Sequence, residues 1–159
     1  MAEFSRMPRD LETALSGEAF RRRRRLVVPL LTADPEGFPR VALLALGDVR
    51  ASSASRLAVA VMAGSRTAFN LVRRKTVTIL YLQRQITASI QARAGRGRVS
   101  NADPDRRLFP LAVERVRIDR PTEKEGEVSL LTGPTFAGPD AERLFSEELF
   151  DELAKVGRA

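Results

Sequence analysis

Apolar residues come along this chain in short blocks, and the spacing inside each block predicts its element. Leu11, Leu15, Ala19 and Phe20 fall near helical spacing, which predicts a helix from Pro8 to about Arg24, interrupted at Ser16-Gly17. Leu26 to Ala33, LVVPLLTA, is a β-type run; Pro29 lacks an N–H, so this strand belongs at an edge or carries a bulge. The turn-forming DPEGFP, Asp34 to Pro39, joins it to a second strand, Arg40 to Leu46, as a hairpin. Turn residues mark Gly47-Asp48 and Ala51 to Ser55, with a short strand near Val49. Leu57 to Ala63 is apolar enough to be buried on both sides.

Ser65 is a good N-cap for a helix running to Arg74, with Ala68, Leu71 and Val72 sharing a face. In the strand Thr76 to Leu82, Val77, Ile79 and Tyr81 share a face. Ile86 to Val99 predicts a longer, bent strand in which Gly95 and Gly97 permit bulges. A turn at ADPDRR and a strand from Leu111 to Asp119 follow. Next come a solvated loop, PTEKEGE, and a strand or extended tail from Val128 to Gly138. Pro139 opens a last helix with Leu144, Phe145, Leu149, Leu153 and Val156 as its apolar stripe.

Six or seven strands at close intervals, one short internal helix and a helix at each end favour a small barrel over a doubly wound sheet. The fold class is mainly β, within α+β. At 159 residues the chain suits one domain, which buries roughly 70% of the unfolded chain's surface. Its parts are a helical segment over 1–25, a barrel over 26–138 and a helix over 139–159.

Composition narrows the chemistry. There is no histidine and no cysteine. That excludes a Ser-His-Asp triad, histidine general-base chemistry, thiolate or imidazole metal sites and a cysteine nucleophile. Any chemistry here falls to a bound cofactor. No apolar run approaches the ~18 residues of a membrane span, and no signal peptide is visible, so the expected place is the cytoplasm. The net charge of +7 favours anionic partners, though it also fits a solvated basic surface. The run Arg21 to Arg25 points all around a helix and suits a helix C-terminus; phosphate contact is the alternative.

The stretch GSRTAFNLVRRKTVTILYL, Gly64 to Leu82, carries the sharpest candidate. A helix N-terminus offers unpaired N–H groups and partial positive charge. Ser65 or Thr67 adds a hydroxyl and Arg66 a fork suited to phosphate. A plain soluble helix start would look similar.

Four segments resemble the FMN-binding split-barrel family, the group around pyridoxamine 5′-phosphate oxidase. They are the hairpin LLTADPEGFPRVALLAL, the Arg-x-x-Leu-Leu of Arg40 to Leu44, the strand–Ser-Arg-Thr–helix–strand core Ala58 to Leu82, and IQARAGRGRV. The resemblance covers about Val27 to Val99. It implies a six-stranded antiparallel split barrel, a homodimer, and FMN in a groove where two subunits meet. Arg40 and the backbone of Val41, Ala42 and Leu43 would run along the flavin. Ser65, Arg66 and Thr67 would hold its phosphate, and Gln91 would contact the ring. Arg74 and Lys75 are additional phosphate candidates. Departures are Ala45 where the oxidase has lysine, Ala60-Val61 where it has Tyr-Thr, Thr67 where it has lysine, and the absence of tryptophan. These speak against vitamin B6 oxidation.

The implied function is a flavin-dependent oxidoreductase of unknown substrate, with reduced nicotinamide, NAD(P)H, as one donor. Its variants are a reductase using the deazaflavin F420, whose anionic tail would suit Arg73 and Arg74, and a non-enzymatic flavin carrier or sensor. A nucleic-acid-binding barrel using Arg21–Arg25, Arg93, Arg96 and Arg98 ranks below these. Aromatic content is only 6%, and single-strand binding needs exposed stacking platforms.

Overall fold

The computed structural model describes residues 1–17, 22–120 and 130–158, with side chains except that of Glu142. Nine strands and three α-helices form it: β1 Ala2–Phe4, α1 Arg9–Ser16, β2 Val27–Ala33, β3 Pro39–Ala45, β4 Val49–Ser53, β5 Arg56–Met62, α2 Arg66–Arg74, β6 Thr76–Gln83, β7 Ile86–Ala94, β8 Arg98–Val99, β9 Arg106–Asp119 and α3 Glu147–Arg158. Seven strands lie side by side in the order β3-β2-β6-β7-β9-β5-β4, all antiparallel, and β1 and β8 add to β9. This curled sheet is a half-barrel of the split-barrel kind, with more strands than the six expected. The extra ones are short: β1 and β8 carry little apolar periodicity, so no pattern marks them.

The core lies inside the curl. Leu30, Leu57, Leu71, Ile79, Ile90, Leu108, Phe109 and Leu111 are all fully buried there. α1 packs on β4, and α3 on β4, β5 and β9. α2 plugs the sheet between β2 and β5. As its composition demands, β5 is buried from Leu57 through Val61.

Several elements differ from their expectations for local reasons. α1 ends at Gly17, whose φ of 126° is open to glycine but not to a helical residue, so Arg22–Arg25 belong to a turn rather than to a helix end. Arg21 lies outside the described residues. β2 is an interior strand, yet Pro29 fits it. Val27 donates its N–H away from β3, to Pro134 O at 2.9 Å, and alternation points the Pro29 nitrogen the same way. The ladder to β6 spans only Leu30 to Thr32, so the proline breaks no sheet bond.

The predicted bend of Ile86 to Val99 is a break between β7 and β8. Gly97 sits on the Phe109 ring, where any Cβ would collide. The bulge in the β7–β9 ladder lies instead at Gln91/Ala92, opposite Glu114 of β9. Pro139 opens no helix; a 3-10 turn, Ala141–Leu144, precedes α3, so Leu144 and Phe145 fall outside it. The loop PTEKEGE, with Val128 and Ser129, lies outside the described residues. Residues 130–137 form an extended strip tied to the start of β2 by a Leu26–Thr135 bridge.

Candidate functional site

The site is assembled where β5 gives way to α2. Ser65 N–H donates to Met62 O at 3.1 Å, closing the turn. Ser65 Oγ then accepts from Ala68 N–H at 3.1 Å as the helix N-cap. A capping hydroxyl uses a lone pair, so its own O–H stays available to a further acceptor. Arg66 is the first helical residue. It is exposed and has no hydrogen bond or ion pair among the described residues. No acidic residue occupies the first turn of α2. A cation at a helix N-terminus opposes the macrodipole, and an anion there would reverse that cost. Thr67 is buried, at 5% exposure, so it faces the core rather than solvent.

The buried face of α2 is Thr67, Ala68, Asn70 and Leu71. Val72, expected on that face, lies one step around the helix and is 44% exposed, with Phe69 beside it. Asn70 Nδ2 donates to Thr32 Oγ1 at 3.0 Å, fastening α2 to β2. Arg74 Nη2 reaches the carbonyls of Asp34 and Pro35, at 3.3 and 2.6 Å, and clamps the β2–β3 turn. This employs a guanidinium that the sequence offered to phosphate. Lys75 ends α2 in the left-handed region, φ 61°. The Arg73 guanidinium lies 5.4 Å from the Phe69 ring centroid.

Arg40 pairs with Thr32 across the β2–β3 hairpin, so both point to the α2 side of the sheet. Val41 and Leu43 point to the other side, 56% and 60% exposed, and Ala42 is half-buried. β3 ends the strand order, so one row of its backbone groups is unpaired within the sheet. Across the outer face the register runs Val41, Leu31, Thr78, Gln91, Arg115 in one row.

A groove of about 400 Å³ follows this row. Its lining includes Leu31, Ala33, Pro39, Thr76, Thr78, Gln91 and Glu114. The volume falls within the ~300–1,000 Å³ of small-molecule sites. Glu114 is engaged by Arg93 Nε at 2.8 Å. Thus Gln91 joins the groove and Val41 continues its row, while Ser65, Arg66 and Thr67 stand apart on α2. The sequence reading missed Thr32, Asn70, Thr76, Thr78 and Glu114. The signal for Thr76 and Thr78 was present: they are the polar, outward half of an alternating strand.

Two buried carboxylates lie away from the groove. Asp48 pairs with Arg106 Nη2 and accepts the Ala45 N–H at 3.2 Å; burial pushes its carboxyl up to about 6 against the pull of Arg106. For Glu152, burial alone would raise the carboxyl. The hydrogen bonds from Asn101 N–H, Ser100 Oγ and Arg98 Nη1, at 2.9, 2.6 and 2.5 Å, and from Ala102 N–H, win and hold it at about 2. Arg93 and Arg98, counted towards nucleic-acid binding, are therefore paired with acids. Among the described residues no cluster of acids could hold a metal ion, and no helix is long and apolar enough to cross a membrane.

No protein-family model and no curated protein matches this chain. Solved structures do. A protein provisionally assigned as a pyridoxamine 5′-phosphate oxidase, from Lactobacillus delbrueckii, is 15% identical with a TM-score of 0.54, over 74% of this chain and 99% of that one. An FMN-binding protein from Syntrophomonas wolfei is 9% identical with a TM-score of 0.54, over 71% and 90%. An F420 reductase is 11% identical with a TM-score of 0.50, over 64% and 97%. At these identities the likeness establishes architecture. This chain has the split-barrel fold shared by pyridoxamine 5′-phosphate oxidase-like and FMN-binding proteins.

Proposed function

We propose that the chain binds FMN between two copies of itself and works as a flavin-dependent oxidoreductase on a small molecule. The observation that carries the reading is Arg66: an exposed cation opening α2, with no acid in its turn and no partner among the described residues. A phosphoryl group is the ligand that such a helix start accommodates. The donor set fits the rest of the group. Leu31, Ala33 and Pro39 offer an apolar wall, Thr76 and Thr78 hydroxyls, Gln91 an amide, and β3 an unpaired backbone row.

When bound, the flavin supplies hydride acceptance and donation at its ring. The chain's residues then bind and orient. Ser65 O–H and Arg66 of one copy hold the phosphate, with Arg40 adding positive charge on the α2 side, and Gln91 in the outer groove of the other copy fixes a polar edge of the ring. A second copy, seated over Val41 and Leu43, excludes water from the groove. No histidine or cysteine is needed, because no side-chain base or nucleophile takes part.

F420 is the second reading. An F420 reductase shares the fold, and Arg73 in the last turn of α2 would meet a longer anionic tail. Mass spectrometry of small molecules released from the purified protein separates FMN, F420 and neither. Turnover of reduced nicotinamide with an artificial acceptor separates an enzyme from a flavin carrier: the enzyme oxidises NAD(P)H catalytically, and the carrier does so at most once per bound flavin.

A further inference from the structure

The outer groove and the bulge in the β7–β9 ladder meet at one residue. Arg115 pairs with Gln91 and Val113 with Ala92, so Glu114 is left over between them. Val116 is buried and Val113 packs against the core, so strict alternation between them would turn a charged residue inward. The bulge avoids this: Glu114 and Arg115, neighbours in the chain, are both exposed. Glu114 thereby reaches the groove, and it is the one carboxylate among the described residues that line it.

We infer that Glu114 is a ring-positioning residue. Its carboxylate accepts the N–H at position 3 of the flavin, while the Gln91 amide donates to a neighbouring ring carbonyl. This role rests on the FMN reading and adds to it an orientation of the ring. The pyrimidine edge of a flavin presents a carbonyl, an N–H and a second carbonyl in a row, so it calls for an acceptor between donors. Thr76 and Thr78 offer hydroxyls, and Gln91 an amide that can turn either way. An ionised carboxylate only accepts, so Glu114 fixes which way that edge faces.

None of these groups is spent elsewhere. The side chains of Thr76, Thr78 and Gln91 have no hydrogen-bond partner among the described residues. Glu114 Oε1 accepts from Arg93 Nε at 2.8 Å, and Oε2 has no partner among the described residues. Register sets the groups side by side, with Thr78 opposite Gln91 and Thr76 opposite Arg93. Arg93 thus braces the carboxylate before a ring arrives. The ion pair does little for the fold, because its side chains are 55% and 52% exposed. Bulges beside ligand sites re-aim a side chain, and this one aims Glu114.

FMN and N3-methyl-FMN differ only at that N–H and carry the same phosphoryl group, so the contribution of Arg66 cancels in the ratio of their affinities. Each is titrated into the wild-type chain, Glu114→Gln and Glu114→Ala, with flavin fluorescence and calorimetry as readouts. The wild type binds FMN roughly tenfold or more tighter than the methylated flavin. Glu114→Gln keeps an acceptor carbonyl without the charge and prefers FMN severalfold. Glu114→Ala binds the two within about twofold, with a thermal midpoint close to that of the wild type. A wild type that binds FMN without discriminating overturns the role of Glu114 and leaves the FMN reading standing. So does a full preference retained in Glu114→Ala. A wild type that binds neither flavin removes both.

Discussion

Arg66 and Glu152 are both polar residues with opposite fates, and each yields a prediction. Arg66 is exposed and unpartnered among the described residues, so its removal costs the fold little and the ligand much. Arg66→Ala weakens FMN binding roughly tenfold to a hundredfold, the range of one hydrogen bond to a charged group, with an unchanged thermal midpoint. Glu152 is spent on the fold. Its carboxyl lies near 2 when folded against 4.5 in the unfolded chain. A depressed carboxyl contributes stability above the unfolded value and loses it as pH falls through the folded one. The wild type therefore loses on the order of 2–3 kcal/mol between about pH 5 and pH 2 from this group, allowing for the half-exposed Arg98. Glu152→Gln is less stable at pH 7, and its denaturant midpoint is flatter over that window. An equally steep acid loss in the variant would assign the dependence elsewhere. Neither role was legible beforehand in full. The setting of Arg66 follows from local order, Ser-Arg-Thr at a helix start, and so was readable. The Glu152 contacts join residues some fifty positions apart, which no local pattern records.

Among elements, those with strong periodicity were readable. The β2–β3 hairpin, β5, α2 and β6 match their predicted types because alternation, turn residues and the Ser65 cap all agree locally. What local pattern cannot show is which strands are neighbours. β2 was expected at an edge or with a bulge because of Pro29, yet it is interior and its register with β3 is regular, and only the short reach of its ladder to β6 accommodates the proline. The same gap hid half of the groove. Gln91 is brought level with Thr78 and Leu31 by register, and Glu114 by a bulge, neither of which the sequence states. The N-cap offers a test at this scale. Ser65→Ala removes the bond to Ala68 N–H and lowers stability by about 1 kcal/mol in denaturant unfolding. It also removes the O–H offered to phosphate; Ser65→Gly, which caps nearly as well but donates nothing, separates the two roles by losing FMN affinity with little loss of stability. Equal affinity for wild type and both variants would confine Ser65 to capping.

At the scale of the whole molecule, the outer face leaves Val41 and Leu43 more than half exposed beside the groove, on a strand at the end of the sheet. Exposed apolar positions on an edge strand invite a second chain. Leu43→Glu places a charge there; if the proposed dimer forms through this face, the variant sediments as a monomer where the wild type does not and carries less flavin, with the thermal midpoint of the monomer fold still measurable. A wild type that sediments as a monomer at high concentration would remove the second copy from the site. The architecture, a split barrel with α2 fastened to β2 by the Asn70–Thr32 bond, places a basic helix start and an outer groove on one small scaffold. The most direct test of what that scaffold serves is an equilibrium titration of the wild-type chain with FMN, followed by flavin fluorescence. The account predicts saturation at one FMN per chain. Fluorescence that tracks free FMN throughout, with no saturable component, would contradict it.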